Sequence, residues 1–347
     1  MRRENQEVRM KTLAKKDLIE AMTIWAQKHD VLCPTQTASG DCIFDTFCEK
    51  TFTLEYKKPP LSPKAVFFPH SEVTFKVENN EYREVVSPKN TLLFGIRACD
   101  MMGILQSTSF MSRDQKDVYY SARCNGAMTI VMACPGPQNE TCFCTTTHSG
   151  PIAQKGFDLQ LYDMGDAFFI EVGTPAGESL LSAIPLADVD GTHAEQQIAK
   201  FQKKALRHLP EVKSVVKAMK KLKDDKADEK IWDSFGQKCI TCGGCAFVCP
   251  TCTCFNVYDH QFSPGNGLRA RTWDACLYGG FAKEASGHNP RASQALRLKR
   301  RHEHKLLHFN EIDVQGSLCG CVGCGRCSDY CPVHIGTLEV VKAIAES

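Results

Sequence analysis

The feature that most constrains this chain is a pair of short cysteine ladders in its C-terminal third. Each ladder has three cysteines at intervals of three residues, then a fourth cysteine four residues later that is followed by proline. The ladders are Cys239, Cys242, Cys245 and Cys249, and Cys321, Cys324, Cys327 and Cys331. In this spacing the first three thiolates bind one 4Fe–4S cluster, and the fourth binds the cluster of the other ladder. Each ladder therefore needs one cysteine of the other ladder to complete its cluster.

The crossed pattern predicts two 4Fe–4S clusters. One has Cys239, Cys242, Cys245 and Cys331 as ligands, and the other has Cys321, Cys324, Cys327 and Cys249. Two zinc sites are the alternative, but zinc sites typically use two ligand pairs separated by a longer insert. Glycines accompany both ladders, as expected where the backbone approaches sulfur closely and donates N–H groups. They are Gly243, Gly244, Gly323 and Gly325.

The length of 347 residues leaves room for two domains. A charged run over residues 220–230 is typical of a linker, so we place a boundary near residue 226. The fold class that we expect is α+β. An N-terminal α/β domain over residues 1–226 precedes a largely helical, two-cluster ferredoxin-type domain over residues 227–347.

Cysteine usage and charge indicate the compartment. The chain has 20 cysteines in runs too closely spaced for a disulfide framework, which favours the reducing cytoplasm over secretion. Residues 1–5 do not begin a signal peptide, and no stretch approaches 18 consecutive apolar residues. A net charge of +2 gives no global argument for nucleic acid or an anionic membrane. We therefore expect a cytoplasmic chain without a membrane span.

Further cysteines follow two apolar runs in the N-terminal half. Residues 92–96 and 128–132 predict buried strands; Cys99 and Asp100 follow the first, and Cys134 follows the second. If the strands are neighbours, these groups converge at the carboxyl edge of the sheet. With the nearby Cys142 and Cys144, they predict a third metal site whose fourth ligand is Cys99 or Asp100. Ordinary buried cysteines in a loop remain the alternative.

Periodicity predicts the remaining elements near the sites. Residues 157–172 read as a β-hairpin, and helices are predicted over residues 13–27, from Thr192 to about residue 209, over residues 212–222 and from Thr337 onward. Cys252, Cys254, Cys276 and Cys319 lie near the ladders in sequence. They could ligate, replace a ladder thiol or shield the clusters, and packing is the default interpretation.

The 71 residues between the ladders must help to cover the clusters. Residues 269–305 contain nine Lys or Arg and three Asp or Glu, a local charge of +6. A cluster with four thiolates is an anion, so nearby cations would stabilise its reduced form. The basic segment 297–301 could instead bind nucleic acid, but no stacking platform or nucleic-acid motif accompanies it, and docking of an acidic partner is favoured.

Motifs for other cofactors are missing from the sequence. There is no GxGxxG between a strand and a helix and no P-loop, so nothing marks a flavin, NAD or ATP site. No Cys–His or Ser–His pair nominates a nucleophile. The pattern indicates a non-catalytic electron carrier whose partners perform the chemistry.

Several segments together resemble a known family. They are the two ladders, residues 94–100 (FGIRACD), 141–144 (TCFC), 271–276 (RTWDAC) and 285–291 (ASGHNPR). This combination is similar to the 4Fe–4S dicluster family, which contains the A subunit of anaerobic sulfite reductase and the β subunit of cytosolic sulfhydrogenases. The similarity runs from about residue 51 to the end, and the chain departs from it at Ala98, where the family usually has proline.

The resemblance implies an electron-transfer subunit between two partners. Electrons would come from a flavoprotein that oxidises NAD(P)H and pass to a terminal catalytic subunit. That subunit would be the sirohaem subunit of a sulfite reductase or, as the alternative, a nickel–iron hydrogenase. The resemblance also favours a third iron–sulfur cluster near Cys134, Cys142 and Cys144.

Overall fold

The computed structural model describes residues 10–308 and 316–347, and residues 1–5, considered above for a signal peptide, lie outside them. Eight strands form a mixed sheet in the order β10-β1-β9-β8-β7-β6-β2-β3. They are β1 (Met10–Ala14), β2 (Asp30–Gln36), β3 (Cys42–Thr46), β6 (Thr91–Ile96), β7 (Ala127–Met132), β8 (Leu159–Asp163), β9 (Ala167–Val172) and β10 (Ala187–Asp188). The central strands β2, β6, β7 and β8 are parallel.

Both faces of the large sheet are covered by helices. The described helices of this half are α1 (Leu18–Ala26), α2 (Ala98–Met111), α3 (Val118–Asn125), α4 (Pro175–Leu181) and α5 (Gly191–His208). Leu92 and Phe94 of β6 share a core with α1 and α4, whereas Leu93 and Ile96 share another with α2 and α3. Every residue of β6 is buried. This explains its continuous apolar run, since a parallel strand in a sheet covered on both sides meets no solvent.

A second sheet joins residues far apart in sequence. Its strands are β4 (Ser71–Glu78), β5 (Glu81–Glu84), β11 (Phe255–Ser263) and β12 (Asn266–Trp273), in the order β11-β12-β4-β5. The hairpin β11–β12 belongs to the segment between the ladders, and it pairs with β4 from the N-terminal half. The region after residue 226, expected to be largely helical, therefore also contributes two long strands.

The remaining described helices pack around the ladders. They are α6 (Lys213–Lys223), α7 (Glu229–Lys238), α8 (Gly244–Phe247), α9 (Gln294–Leu306), α10 (Arg326–Asp329) and α11 (Thr337–Glu346). Helix α6 packs on α11 and α7 on α9, and the four helices share one apolar core. Helices α6 and α7 lie on opposite sides of residue 226 in sequence. The predicted boundary thus falls inside a region that packs as one unit.

Most predicted elements are confirmed, with shifted ends. The parallel neighbours β6 and β7 and the antiparallel hairpin β8–β9 match the predictions. The helix predicted from residue 13 begins only at Leu18, because Met10–Ala14 pairs with β9 as a strand. The cap of α5 is Asp190, which accepts from His193 N, and not Thr192. Among the described residues, no helix has both the length and the apolar character needed to cross a membrane.

Candidate metal centre

The two ladders adopt the same local backbone. A glycine after the second cysteine of each is left-handed, with φ of 72° at Gly243 and 75° at Gly325. Each glycine caps a one-turn helix, α8 or α10, that carries the third cysteine. A Cβ atom would meet the Tyr278 hydroxyl at Gly243, and the Thr141 carbonyl at Gly325. Conformation and space therefore both require glycine at these positions.

One cavity brings together cysteines from both ladders. They are Cys239, Cys242, Cys245 and Cys331, which is the crossed set expected from the spacing. Much of the remaining wall is apolar and includes Leu277, Leu298 and Ile335. Apolar walls exclude water from thiolates and help to set the potential of a bound cluster.

Donors surround the sulfurs of this cavity. The backbone N–H of Ile335 donates to Cys331 Sγ at 3.3 Å, and the side-chain amide of Gln294 donates to Cys239 Sγ at 3.1 Å. Such hydrogen bonds stabilise sulfur that carries negative charge. The sulfurs therefore lie in surroundings suited to thiolate ligands.

The second predicted set also lies together. It consists of Cys249, Cys321, Cys324 and Cys327. Burial raises the pKa of Cys324 to about 11; the charges of Arg326 and Lys58 oppose this, whereas Cys249 and Cys327 add to it. Thr251, two residues after Cys249, donates from its hydroxyl to the Gly320 carbonyl at 2.8 Å, so Cys249 of the first ladder lies near the start of the second. The backbone N–H of Thr337, the first residue of α11 rather than its cap, donates to Cys327 Sγ at 3.3 Å.

Helix α9 places two buried cations among the ladders. Arg301 and Lys305 are each 3% exposed. Arg301 donates to the Cys245 carbonyl at 3.0 Å, while its Nε finds no hydrogen-bond partner among the described residues. Burial lowers the pKa of Lys305, but the nearby thiolates of Cys249, Cys252 and Cys321 together outweigh this effect and raise the pKa. Buried cations require a counter-charge, and an anionic cluster with four thiolates would provide one.

The residues around both cysteine sets thus fit 4Fe–4S clusters. A cluster supplies reversible one-electron oxidation and reduction when bound. The chain provides the thiolates, excludes water, donates hydrogen bonds to sulfur and places positive charge nearby. The last two features favour the more negative, reduced form.

The four cysteines expected at a third site also gather. Because β6 and β7 are adjacent and parallel, their carboxyl ends place Cys99 and Cys134 at one edge of the sheet. The loop after β7 brings Cys142 and Cys144 to the same region, and all four side chains are buried. Burial raises the pKa of Cys144, and the neighbouring Cys134 and Cys142 raise it further. Four buried thiols influencing one another make a plausible ligand set.

Asp100, the alternative fourth ligand, is engaged elsewhere. Its two oxygens accept hydrogen bonds from the Arg326 guanidinium at 2.6 and 3.1 Å, and both side chains are fully buried. A bidentate pair of this kind uses the carboxylate to neutralise the guanidinium. This pairing favours Cys99 over Asp100 as the fourth ligand of the predicted third site.

Two buried lysines were missed by sequence reasoning. Lys58 Nζ lies 3.5 Å from Cys142 Sγ, donates to the Cys324 carbonyl and pairs with Asp329 at 3.1 Å. It therefore lies between the third group and the second ladder. Lys64 donates to two carbonyls beside the first ladder, at 3.1 and 3.0 Å. Both lysines precede or follow prolines in an irregular segment, which carries no periodic or spacing signal.

The extra cysteines near the ladders occupy two kinds of position. Cys252 packs with Cys249 in one apolar cluster, and Cys319 is 2% exposed. Cys254 and Cys276 flank the paired strands β11 and β12 and border a cavity that opens to solvent. Packing accounts for the buried pair, and it does not account for two thiols at an open cavity.

Comparison with known proteins bears on the ladders directly. A family model described as a 4Fe-4S dicluster domain matches residues 238–335, which include all eight ladder cysteines. The chain is 29% identical over 296 residues to subunit beta of sulfhydrogenase 2 from Pyrococcus furiosus, covering 85% of this chain and 86% of that protein. No solved structure matches significantly. Residues 238–335 thus form a 4Fe–4S dicluster domain that carries two 4Fe–4S clusters, and most of the chain is similar to the beta subunit of a sulfhydrogenase.

Proposed function

We propose that the chain relays electrons one at a time between two partner subunits of a cytoplasmic oxidoreductase complex. The carrying observation is the cavity in which Cys331 of the second ladder joins three cysteines of the first. An exchange of the fourth ligand places two clusters side by side, as in two-cluster ferredoxins. Adjacent one-electron centres make a conducting path, and the chain then needs no substrate site of its own.

The proposed ligand sets are the crossed ones. The first cluster is held by Cys239, Cys242, Cys245 and Cys331, and the second by Cys249, Cys321, Cys324 and Cys327. The test is iron content and electron paramagnetic resonance of anaerobically purified, chemically reduced protein. We expect a signature of two interacting clusters, which Cys331→Ala alters at the first cluster. Colourless protein with stoichiometric zinc would contradict the proposal.

Cys99, Cys134, Cys142 and Cys144 are proposed to hold a third cluster. Their burial together beside Lys58 supports this, because the lysine would offset the charge of a cluster there. About twelve irons per chain are expected, and about eight would exclude a third cubane. The fourfold Cys→Ala variant of this group should lose about four irons and keep both ladder clusters.

The input partner is proposed to be a flavoprotein that oxidises NAD(P)H. For the terminal partner, two candidates remain. The motif resemblance supports the sirohaem subunit of anaerobic sulfite reductase, and the relative from Pyrococcus furiosus supports a nickel–iron sulfhydrogenase equally well. Anaerobic purification of the intact complex, followed by identification of the co-eluting chains and of sirohaem or nickel, distinguishes them. Sulfite reduction by the purified single chain would overturn the carrier role.

A further inference from the structure

A cavity on the surface next to α9 is lined by both thiols and cations. Its volume is about 300 Å³, within the range of small-ligand sites. Cys254 and Cys276 lie in its wall together with Arg291, Arg300 and Arg301. No carboxylate lines it among the residues that the structure describes. The cavity is therefore suited to an anion.

One of these cations, Arg301, has an N–H group that a ligand could accept from. Arg301 is 3% exposed, and its Nε has no hydrogen-bond partner in the described part of the chain. A buried guanidinium N–H without a partner is costly unless something accepts from it. Arg300 of the same cavity wall is exposed and also contacts Glu303, at 3.8 Å, and His308, so a bound anion would meet one buried and one exposed guanidinium.

The tertiary fold brings the two thiols together. Cys254 directly precedes β11 and Cys276 follows β12, so the antiparallel pairing of these strands sets them side by side. The backbone N–H of Asp274 donates to the Cys254 carbonyl at 3.0 Å, which closes the base of the hairpin. Both thiols line the same cavity, and the Cys276 thiol beside it lowers the pKa of Cys254 to about 6. A thiolate beside a thiol is the arrangement found in dithiol redox couples.

The pair also lies near the first ladder. Cys276 is close enough to Cys245, a proposed ligand of the first cluster, for the two thiolates to interact electrostatically. Arg301 touches the Cys245 carbonyl on one side and lines the cavity on the other. An electron leaving the first cluster would therefore have a short path to the thiol pair.

We propose that Cys254 and Cys276 form a dithiol–disulfide couple that reduces a small anionic disulfide bound in this cavity. The proposal rests on the proposed function, because the electrons come from the iron–sulfur relay. The chain would then pass electron pairs to a small molecule, in addition to passing single electrons to its partner subunits.

The chemistry balances as thiol–disulfide exchange. The Cys254 thiolate attacks one sulfur of the bound disulfide, forming a mixed disulfide and releasing one ligand thiolate. Cys276 loses its proton to that thiolate and attacks the Cys254 sulfur, which releases the second ligand thiolate and leaves a Cys254–Cys276 disulfide. Two electrons from the relay and one proton from solvent restore the Cys254 thiolate and the Cys276 thiol. Overall, one disulfide, two electrons and two protons give two ligand thiols, once the second thiolate is protonated.

The first test detects the couple without measuring turnover. Anaerobic full-length protein is equilibrated in glutathione buffers of stepped potential, quenched by alkylation and mapped by mass spectrometry. We expect Cys254 and Cys276 to lose alkylation together and to appear as a linked peptide, with unchanged iron content. Cys254→Ser and Cys276→Ser should retain all iron. Loss of iron in these variants, or two thiols that stay alkylated at every potential, would overturn the proposal.

The second test probes the charge of the ligand. Reduced protein, freed of reductant, is mixed with glutathione disulfide, which is anionic, or cystamine, which is cationic, and the released thiol is measured. We expect at least about tenfold faster reduction of the anionic disulfide, the lower end of the effect of charge-lined clefts. Arg300→Gln should reduce this preference, whereas Lys299→Gln, a neighbour paired with Glu229, should not.

Equal rates with the two disulfides, or full activity in Cys254→Ser, would reject the site. Failure of the relay itself has a different signature. If iron and paramagnetic signals were absent, electron delivery would be lost, yet the alkylation experiment would still show whether the two thiols form a couple.

Discussion

Buried cations around the thiolates are the residue-scale feature that most affects redox behaviour. Lys58, Lys64, Arg301 and Lys305 are all at most 7% exposed, although lysine and arginine are rarely buried without a compensating charge. Their contacts include carbonyls and a hydroxyl of the ladder regions and the sulfur of Cys142. Anionic clusters would offset these charges, and the cations in turn stabilise each added electron.

The first prediction concerns Arg301. Arg301→Gln should lower the potential of the nearest cluster, because loss of a positive charge disfavours the reduced form. One unit charge at roughly 10 Å with an effective dielectric constant of about 20 is worth roughly 1.7 kcal/mol, on the order of 70 mV for one electron. Redox titration followed by paramagnetic resonance measures this. Arg301→Lys and the variant Lys299→Gln, at a half-buried lysine paired with Glu229, should shift it much less, and a rise in potential would contradict the argument.

The second prediction concerns Asp100. Asp100→Asn leaves the Arg326 charge buried without its partner, so we expect unfolding to become easier by about 3–5 kcal/mol. Anaerobic denaturation of matched samples measures the change. Asp188→Asn, which breaks the exposed pair with Lys11, is the control and should have little effect. Iron content should stay constant in Asp100→Asn, and its loss would restore Asp100 as a ligand.

At the scale of elements, one-turn helices set the geometry of the ladders. Gly243 caps α8 and Gly325 caps α10, so the third cysteine of each ladder turns back toward the first two. The start of α2 explains the departure from the family at Ala98. That residue is the first of the helix, a position that accepts proline or alanine because its N–H needs no partner within the helix.

The third prediction tests these glycines. Gly243→Ala should impair the first cluster and Gly325→Ala the second, because each adds a Cβ in a left-handed conformation and against a neighbour. Gly280→Ala is the control, since its Cβ would meet nothing within 4 Å. Iron content and visible absorbance report cluster retention. Normal clusters in both test variants would show that the turns are not required.

At the scale of the whole molecule, the N-terminal half is part of the cover over the ladders. Strand β4 pairs with β12 from the segment between the ladders, and Arg326 of α10 binds Asp100 of α2. Lys58 and Lys64 reach from the N-terminal half to the ladder backbone. The clusters are therefore held in a structure that both halves of the chain complete.

The fourth prediction is that removal of the clusters loosens the ladder region first. Without the clusters, the buried cations lose their counter-charge and the ladders lose their cross-links. Hydrogen exchange of chelator-treated protein should rise over residues 239–249, 294–306 and 321–335. It should change little in β6 and β7, which are buried between helices. Uniform loss of protection would indicate a single cooperative unit instead.

The sequence by itself determined the clusters, because ligand spacing along a short ladder is local information that survives without any fold. It also determined β6, β7 and the hairpin β8–β9, whose apolar runs and turn are local as well. The family model confirms two clusters, and the ligand assignments and the third site stay predictions.

Only the tertiary structure decided what lies around the sulfurs. Asp100 faces Arg326 across 226 residues of sequence, Lys58 reaches Cys324 across 266, and Cys254 meets Cys276 through the pairing of β11 with β12. No periodicity or spacing encodes such partners, because buried charges and thiols are selected by what the fold places beside them. Local patterns therefore specify which groups bind iron, and long-range packing specifies the electrostatic surroundings in which they do so.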